Sequence, residues 1–177
     1  MKNIGVFCSS HEELLPIYSE AARNLGREIG KHNSTLVYGG SNCGLMEIVA
    51  QAVKENGGRV FGVIPTLLRQ RGLESDNVDI AFYTENLSDR KDVMLRESDI
   101  LVALPGGTGT LDEIFTTLAG ATLTYHDKKV VLYNINGFWN RLIDMLNEMK
   151  NNGFISPEIH KHLCVADTAE ELYKQIF

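Results

Sequence analysis

The chain has 177 residues, 44% of them hydrophobic, with a net charge of −6 and three cysteines. That size and composition suit one globular domain with a sizeable core and leave little room for a second. The scattered acidic charge gives no electrostatic reason to expect nucleic acid or an anionic membrane as partner, so any anion must be bound locally. Cys8, Cys43 and Cys164 are odd in number, far apart and without CxxC spacing, which favours neither a disulfide framework nor a zinc site and points to a reducing cytoplasm.

In chain order, short apolar runs alternate with helical patterns. Met1-Lys2-Asn3 passes at once into a strand from Ile4 to Cys8, too short for a signal-peptide core or a membrane span. A helix is predicted over Pro16 to Lys31, a strand over Thr35 to Tyr38, a helix over Leu45 to Glu55 and a strand over Val60 to Ile64. Leu67 to Asp79, basic and then acidic, reads as a surface excursion. The pattern resumes with strand Ile80 to Tyr83, helix Leu87 to Glu97, strand Ile100 to Leu104, helix Thr110 to Leu123, strand Val130 to Tyr133 and helix Phe138 to Asn151. A terminal region follows from Pro157, with a last helix from Thr168 to Phe177. Such alternation predicts an α/β fold: a single-domain, Rossmann-like, doubly wound parallel sheet flanked by helices, spanning 1–177.

Three segments have a composition suited to chemistry. Leu104-Pro-Gly-Gly-Thr-Gly-Thr-Leu-Asp-Glu113 joins a strand to a helix through Gly106, Gly107 and Gly109. Glycine lets the backbone turn tightly and approach a ligand, and the helix start offers unpaired N–H groups and a positive dipole end to a phosphate. An ordinary tight connection would use the same glycines, but the two threonines and the helix start favour a ligand site, with Glu113 as an acid beside it. Within that helix Leu111, Ile114, Phe115 and Leu118 are predicted to face the core, and Glu113, Thr116, Thr117 and Gly120 another face. Tyr38-Gly39-Gly40-Ser41-Asn42-Cys43-Gly44-Leu45-Met46 is a second strand, glycine turn and helix; ligand contact and plain turn chemistry explain it equally. Third, Asp89-Arg90-Lys91 sets bases near a helix start, where they oppose the dipole and need either an anionic partner or a solvated pairing with Asp89 and Asp92. The five histidines form no HExxH zinc pattern, and GxSxG and GxxxxGK[ST] are absent.

Taken together, Pro105 to Glu113 (PGGTGTLDE), Asp89 to Met94 (DRKDVM) and Tyr38 to Met46 (YGGSNCGLM) resemble the LONELY GUY family of cytokinin-activating phosphoribohydrolases. The likeness extends through Gly5 to Ser10, Tyr18 to Gly26, Gly57 to Pro65 and Asn152 to Ile155, covering roughly residues 4 to 156. The resemblance implies hydrolysis of the N-glycosidic bond of a nucleoside 5′-monophosphate, such as AMP or an N6-modified AMP, with no metal or cofactor, by a homodimer or larger homo-oligomer. It implies Arg90 and Glu113 as the catalytic pair. Lys91, Gly106, Gly107, Thr108, Gly109 and Thr110 would contact the nucleotide, with Gly40 and Ser41 lending the second turn. Some relatives carry a lysine decarboxylase label, which would require pyridoxal phosphate on a lysine, and a non-catalytic nucleotide-binding module could share the same glycine turn. The chain departs from the family at Ser41, Glu47 and Leu87, and over Gly120 to His126 where a Trp-Ala-Gln-Leu-Gly-x-His run is common. Those changes leave the phosphate and catalytic parts intact and fall largely on the helix that faces the base or the partner subunit.

Overall fold

A computed structural model describes all 177 residues. Seven strands form one wholly parallel sheet: β1 (Asn3–Phe7), β2 (Thr35–Tyr38), β3 (Arg59–Pro65), β4 (Ile80–Thr84), β5 (Ile100–Ala103), β6 (Val130–Tyr133) and β7 (Leu163–Ala166). Their spatial order is β4-β3-β2-β1-β5-β6-β7. The chain therefore winds outward from β1 to β4, returns, and restarts on the other side of β1 with β5. Loops leaving β1 and β5 diverge, and in open parallel sheets that divergence opens the ligand crevice at the strands' carboxyl ends.

The apolar runs of β1, β2, β5 and β6 arise because both sheet faces are covered there, whereas the edge strand β4 leaves Ile80, Phe82 and Tyr83 exposed. Helices α1 (Pro16–Lys31), α2 (Gly44–Glu55) and α7 (Ala169–Ile176) cover one face; α4 (Leu87–Glu97), α5 (Thr108–Thr122) and α6 (Asn140–Asn151) cover the other. Alternation along β2 shows the division, with Leu36 and Tyr38 in the first core and Val37 in the second. Asn86 caps α4 by accepting from the Ser88 and Asp89 N–H groups, and Thr168 and Glu171 form a capping box on α7. No helix is long and apolar enough to cross a membrane.

Four departures from the sequence-based expectation have local causes. The stretch 67–79 contains a short helix, α3 (Thr66–Gln70), and returns to pair Glu74 with Ser41 in an isolated antiparallel bridge. The helix expected from Phe138 begins at Asn140, after a 3-10 turn over Ile135–Gly137 in which Asn136 takes a positive φ of 52°. Strand β7 was not anticipated, because it is only four residues long, lies at the sheet edge and buries only Ala166 fully. On α5 the buried stripe is Thr110, Glu113, Ile114, Thr117, Leu118 and Ala121, whereas Phe115 is 38% exposed. Glu113 and Thr117 thus lie on the buried face, not on a separate one.

Candidate active site

Three loops meet where β1, β2 and β5 end. The Ser9 N–H donates to the Pro105 carbonyl at 3.2 Å, and the Leu45 N–H donates to the Ser9 carbonyl at 3.0 Å, so the loop after β1 is tied to both glycine turns. The turn after β5 leads into α5 with Gly107 as N-cap, and no side chain caps it. The first helical N–H groups, those of Thr108, Gly109 and Thr110, lack intrahelical partners by geometry. Gly107, Thr108 and Gly109 are exposed, and a Cβ at Gly107 or Gly109 would meet nothing within 4 Å, so the rim is bare and open. Gly106 is different: a Cβ there would lie 2.0 Å from Thr110 Oγ1, so only glycine permits this turn. Together they leave a bare turn with unpaired N–H groups at a helix start, an arrangement that can receive an anion.

Glu113, one turn beyond Thr110 on the same stripe, is 4% exposed. Arg90, from the first turns of α4, is 9% exposed and places Nη1 3.1 Å from Glu113 Oε1. This pairing is the compensating carboxylate that a base near a helix start requires. Burial pushes the Glu113 carboxyl up to about 7, against the pull of Arg90; Asp112 raises it further and Lys91 lowers it. A carboxyl poised there exchanges a proton near neutrality, as an acid–base catalyst must. Cys8, at the end of β1, lies close enough for its buried thiol to be pushed up by burial and by Glu113. Arg90 Nε is buried without a hydrogen-bond partner.

The remaining expected residues are placed differently. Lys91 Nζ donates to both Asp112 oxygens at 2.7 and 2.8 Å and to Thr116 Oγ1 at 3.0 Å, so its charge is engaged on the α5 side chains and not on the Gly106 to Thr110 turn. Gly40, at φ 75°, turns the chain after β2; its carbonyl accepts from the Ser75 N–H at 3.0 Å, and Ser41 bridges Glu74. These two residues pin the 66–79 excursion beside the crevice. Sequence reading missed Gly39, which abuts the Arg90 guanidinium. The Gly-Gly pair was visible, but only the fold shows which glycine touches the arginine.

The raised carboxyl has a stability consequence. A folded-state value of about 7 against an ordinary 4.5 means that the folded chain holds this proton where the unfolded chain has lost it. The resulting stabilisation is full below the unfolded value and is lost as pH rises through 7, about 3 kcal/mol for this one group. Denaturant midpoints measured from pH 5 to 8.5 are expected to fall more steeply for the native chain than for Glu113→Gln. Parallel curves for the two proteins would contradict the buried, proton-holding carboxyl.

Comparison with known proteins places the chain in a family. A family model described as "Possible lysine decarboxylase" matches residues 46–176. The cytokinin riboside 5′-monophosphate phosphoribohydrolase LOG3 of Arabidopsis thaliana is 39% identical over 99% of this chain and 81% of its own length. The corresponding LOG4 of the same plant is 40% identical over 98% and 80%. Among solved structures, a Moco carrier protein from Chlamydomonas reinhardtii superposes with a TM-score of 0.74 at 27% identity, covering 99% of this chain and 96% of that one. Near-complete coverage at this identity, together with the family-model match, means that this chain belongs to the LONELY GUY family of phosphoribohydrolases.

Proposed function

We propose that the chain hydrolyses the N-glycosidic bond of a nucleoside 5′-monophosphate, AMP or an N6-modified AMP, releasing free base and ribose 5-phosphate. Residues 1–177 act as one nucleotide-binding domain. The observation that carries this reading is the buried Arg90–Glu113 pair one helical turn from the uncapped Gly106 to Thr110 turn, in a chain 39% identical to proteins named phosphoribohydrolases.

The substrate phosphate sits on the N–H groups of the cradle, which fixes the ribose above Glu113. As the C1′–N bond breaks, its electron pair leaves with the base and positive charge develops on the sugar. Ionised Glu113 stabilises that charge and takes a proton from the attacking water, whose oxygen bonds to C1′. The proton that Glu113 took from the water is then passed, through solvent, to the departing base, which returns Glu113 to its ionised form and completes the products. Arg90 keeps enough of the carboxylate ionised for this task despite its burial.

A decarboxylase would instead need pyridoxal phosphate as a Schiff base on a lysine. Lys91, the lysine adjoining the pair, has its Nζ held by Asp112 and Thr116, so the residues at this site do not fit that group.

The protein acts in the cytoplasm as a homodimer or larger homo-oligomer. Support comes from α4 and α5, whose outer faces border a groove of about 640 Å³ lined in part by Leu95, Ala119, Gly120, Leu123 and Tyr125. Leu123 and Tyr125 there are 61% and 81% exposed. Thr117 and Ala121 are buried in the chain's own core, so close approach of a second copy falls to Thr116, Ala119 and Gly120. Gel filtration at micromolar concentration is expected to give at least twice the monomer mass, and a purely monomeric profile would contradict this assembly. Incubation with a panel of nucleoside monophosphates tests the activity itself. Free base is expected, whereas AMP binding by calorimetry with no base released over hours would identify a non-catalytic module.

A further inference from the structure

We propose that Gly39 is a positioning residue for the reaction, its missing side chain forming the seat that holds the Arg90 guanidinium beside Glu113. This rests on the reading of Arg90 and Glu113 as the catalytic pair.

Three elements converge here. Gly39 follows β2 directly, Arg90 comes from α4 and Glu113 from α5. A Cβ on Gly39 would lie 1.9 Å from Arg90 Nη2, 2.9 Å from Cζ and 3.2 Å from Nε. All three atoms belong to one guanidinium, so the group lies against the Gly39 backbone, where any side chain would stand. Turn geometry does not explain the glycine, because Gly39 is absent from the positive-φ positions that include its neighbour Gly40. The backbone would accept alanine; the arginine would not.

Any retreat of Arg90 moves the group that is paired with Glu113. Relieving the contact means moving Nη2 from 1.9 Å to at least 3.4 Å from the new carbon, in a side chain only 11% exposed. The opposite edge of the guanidinium is the one bonded to Glu113 Oε1 at 3.1 Å. A shift of that size breaks or rebuilds the ion pair while leaving the sheet and both glycine turns in place.

Gly39→Ala is therefore expected to lower kcat roughly 10²-fold, the scale of an ångström-sized misplacement of a catalytic group, with KM for the monophosphate little changed. The charged and titratable groups facing Glu113 are Arg90 and Lys91 from α4, Asp112 from α5 and Cys8 from β1. With Arg90 displaced, burial and Asp112 act with less opposition, and the acid limb of the kcat profile is expected to move to higher pH. A merely structural glycine would not move that limb.

The decisive comparison uses Gly39→Ala, Arg90→Ala and the double variant on the full chain. In the Arg90→Ala background the alanine at 39 is expected to cost nothing further, since the clashing group is gone. Wild-type kcat and pH limb in Gly39→Ala, or fully multiplicative losses in the double variant, would overturn the role of Gly39 while Arg90→Ala keeps its own reduced kcat. If Arg90→Ala itself keeps full activity, the catalytic pair is wrong instead. Should Gly39→Ala prove too unstable to assay, its melting temperature is expected to recover in the double variant towards that of Arg90→Ala. Absence of recovery would likewise overturn the proposal.

Discussion

Glu113→Gln is expected to lower the turnover of a nucleoside monophosphate by about 10³-fold or more, with the fold retained. The magnitude follows from removing both electrostatic stabilisation of a developing cation and the base for the attacking water. Fold retention follows from the same burial that makes the residue reactive. At pH 7 the carboxyl is already close to half protonated, so the native protein tolerates a neutral group at this position, and Gln reproduces its shape. Circular dichroism and a melting temperature near the native value at pH 6 would accompany the inactive enzyme. Activity in the native protein should rise with pH along a limb near 7, as Glu113 ionises, and that limb should be missing from any residual activity of the variant. Full activity in Glu113→Gln would remove the carboxylate from the mechanism.

Arg90→Ala is expected to have the second largest effect, about 10²- to 10³-fold in kcat, through the carboxylate and not through the cradle. Removing one member of a buried ion pair commonly costs about 3–5 kcal/mol, because the survivor is left as an uncompensated charge. Here the survivor can take up a proton, so the loss should be small at pH 6 and grow as pH rises. The kinetic signature is an acid limb displaced upward, since the largest influence holding Glu113 down is gone. Measuring kcat across pH 5.5 to 9 separates this from a loss of binding, which would raise KM and leave the limb in place. An unshifted limb would show that Arg90 does not govern the ionisation of Glu113.

Much of this architecture was legible in the residues because parallel strands covered on both faces must be apolar throughout. The boundaries Pro16–Lys31, Thr35–Tyr38, Leu87–Glu97 and Val130–Tyr133 are those the patterns gave. The turn after β5 was legible for a related reason, since an apolar run, three glycines and a helical pattern mark a tight strand-to-helix connection. What failed depended on three-dimensional contact. Periodicity put Phe115 in the core because it is large and apolar, but α5 turns Glu113 and Thr117 inward, where an arginine from another helix compensates the carboxylate. No single-chain pattern carries that information, because Arg90 and Glu113 meet only when α4 and α5 pack on the same sheet face. The edge strand β7 was missed because four residues, of which only Ala166 is fully buried, give little periodic signal. Lys91 adjoins Arg90 in sequence, yet adjacent helical residues point in different directions, and in the fold its ammonium is held by Asp112.

The departures at Gly120 to His126 now have a location. Gly120, Leu123, Tyr125 and His126 line the outer groove between α4 and α5, away from the Gly106 to Thr110 turn at the start of α5. They fall on that groove and not on the glycine turn or the Arg90–Glu113 pair.

The most direct measurement compares AMP with adenosine under identical conditions, reading free adenine and, for AMP, ribose 5-phosphate over time. A phosphate cradle coupled to Glu113 predicts equimolar adenine and ribose 5-phosphate from AMP or its N6-substituted forms, with far slower release from the unphosphorylated nucleoside. No base from any monophosphate, or equal rates with and without the phosphate, would contradict it.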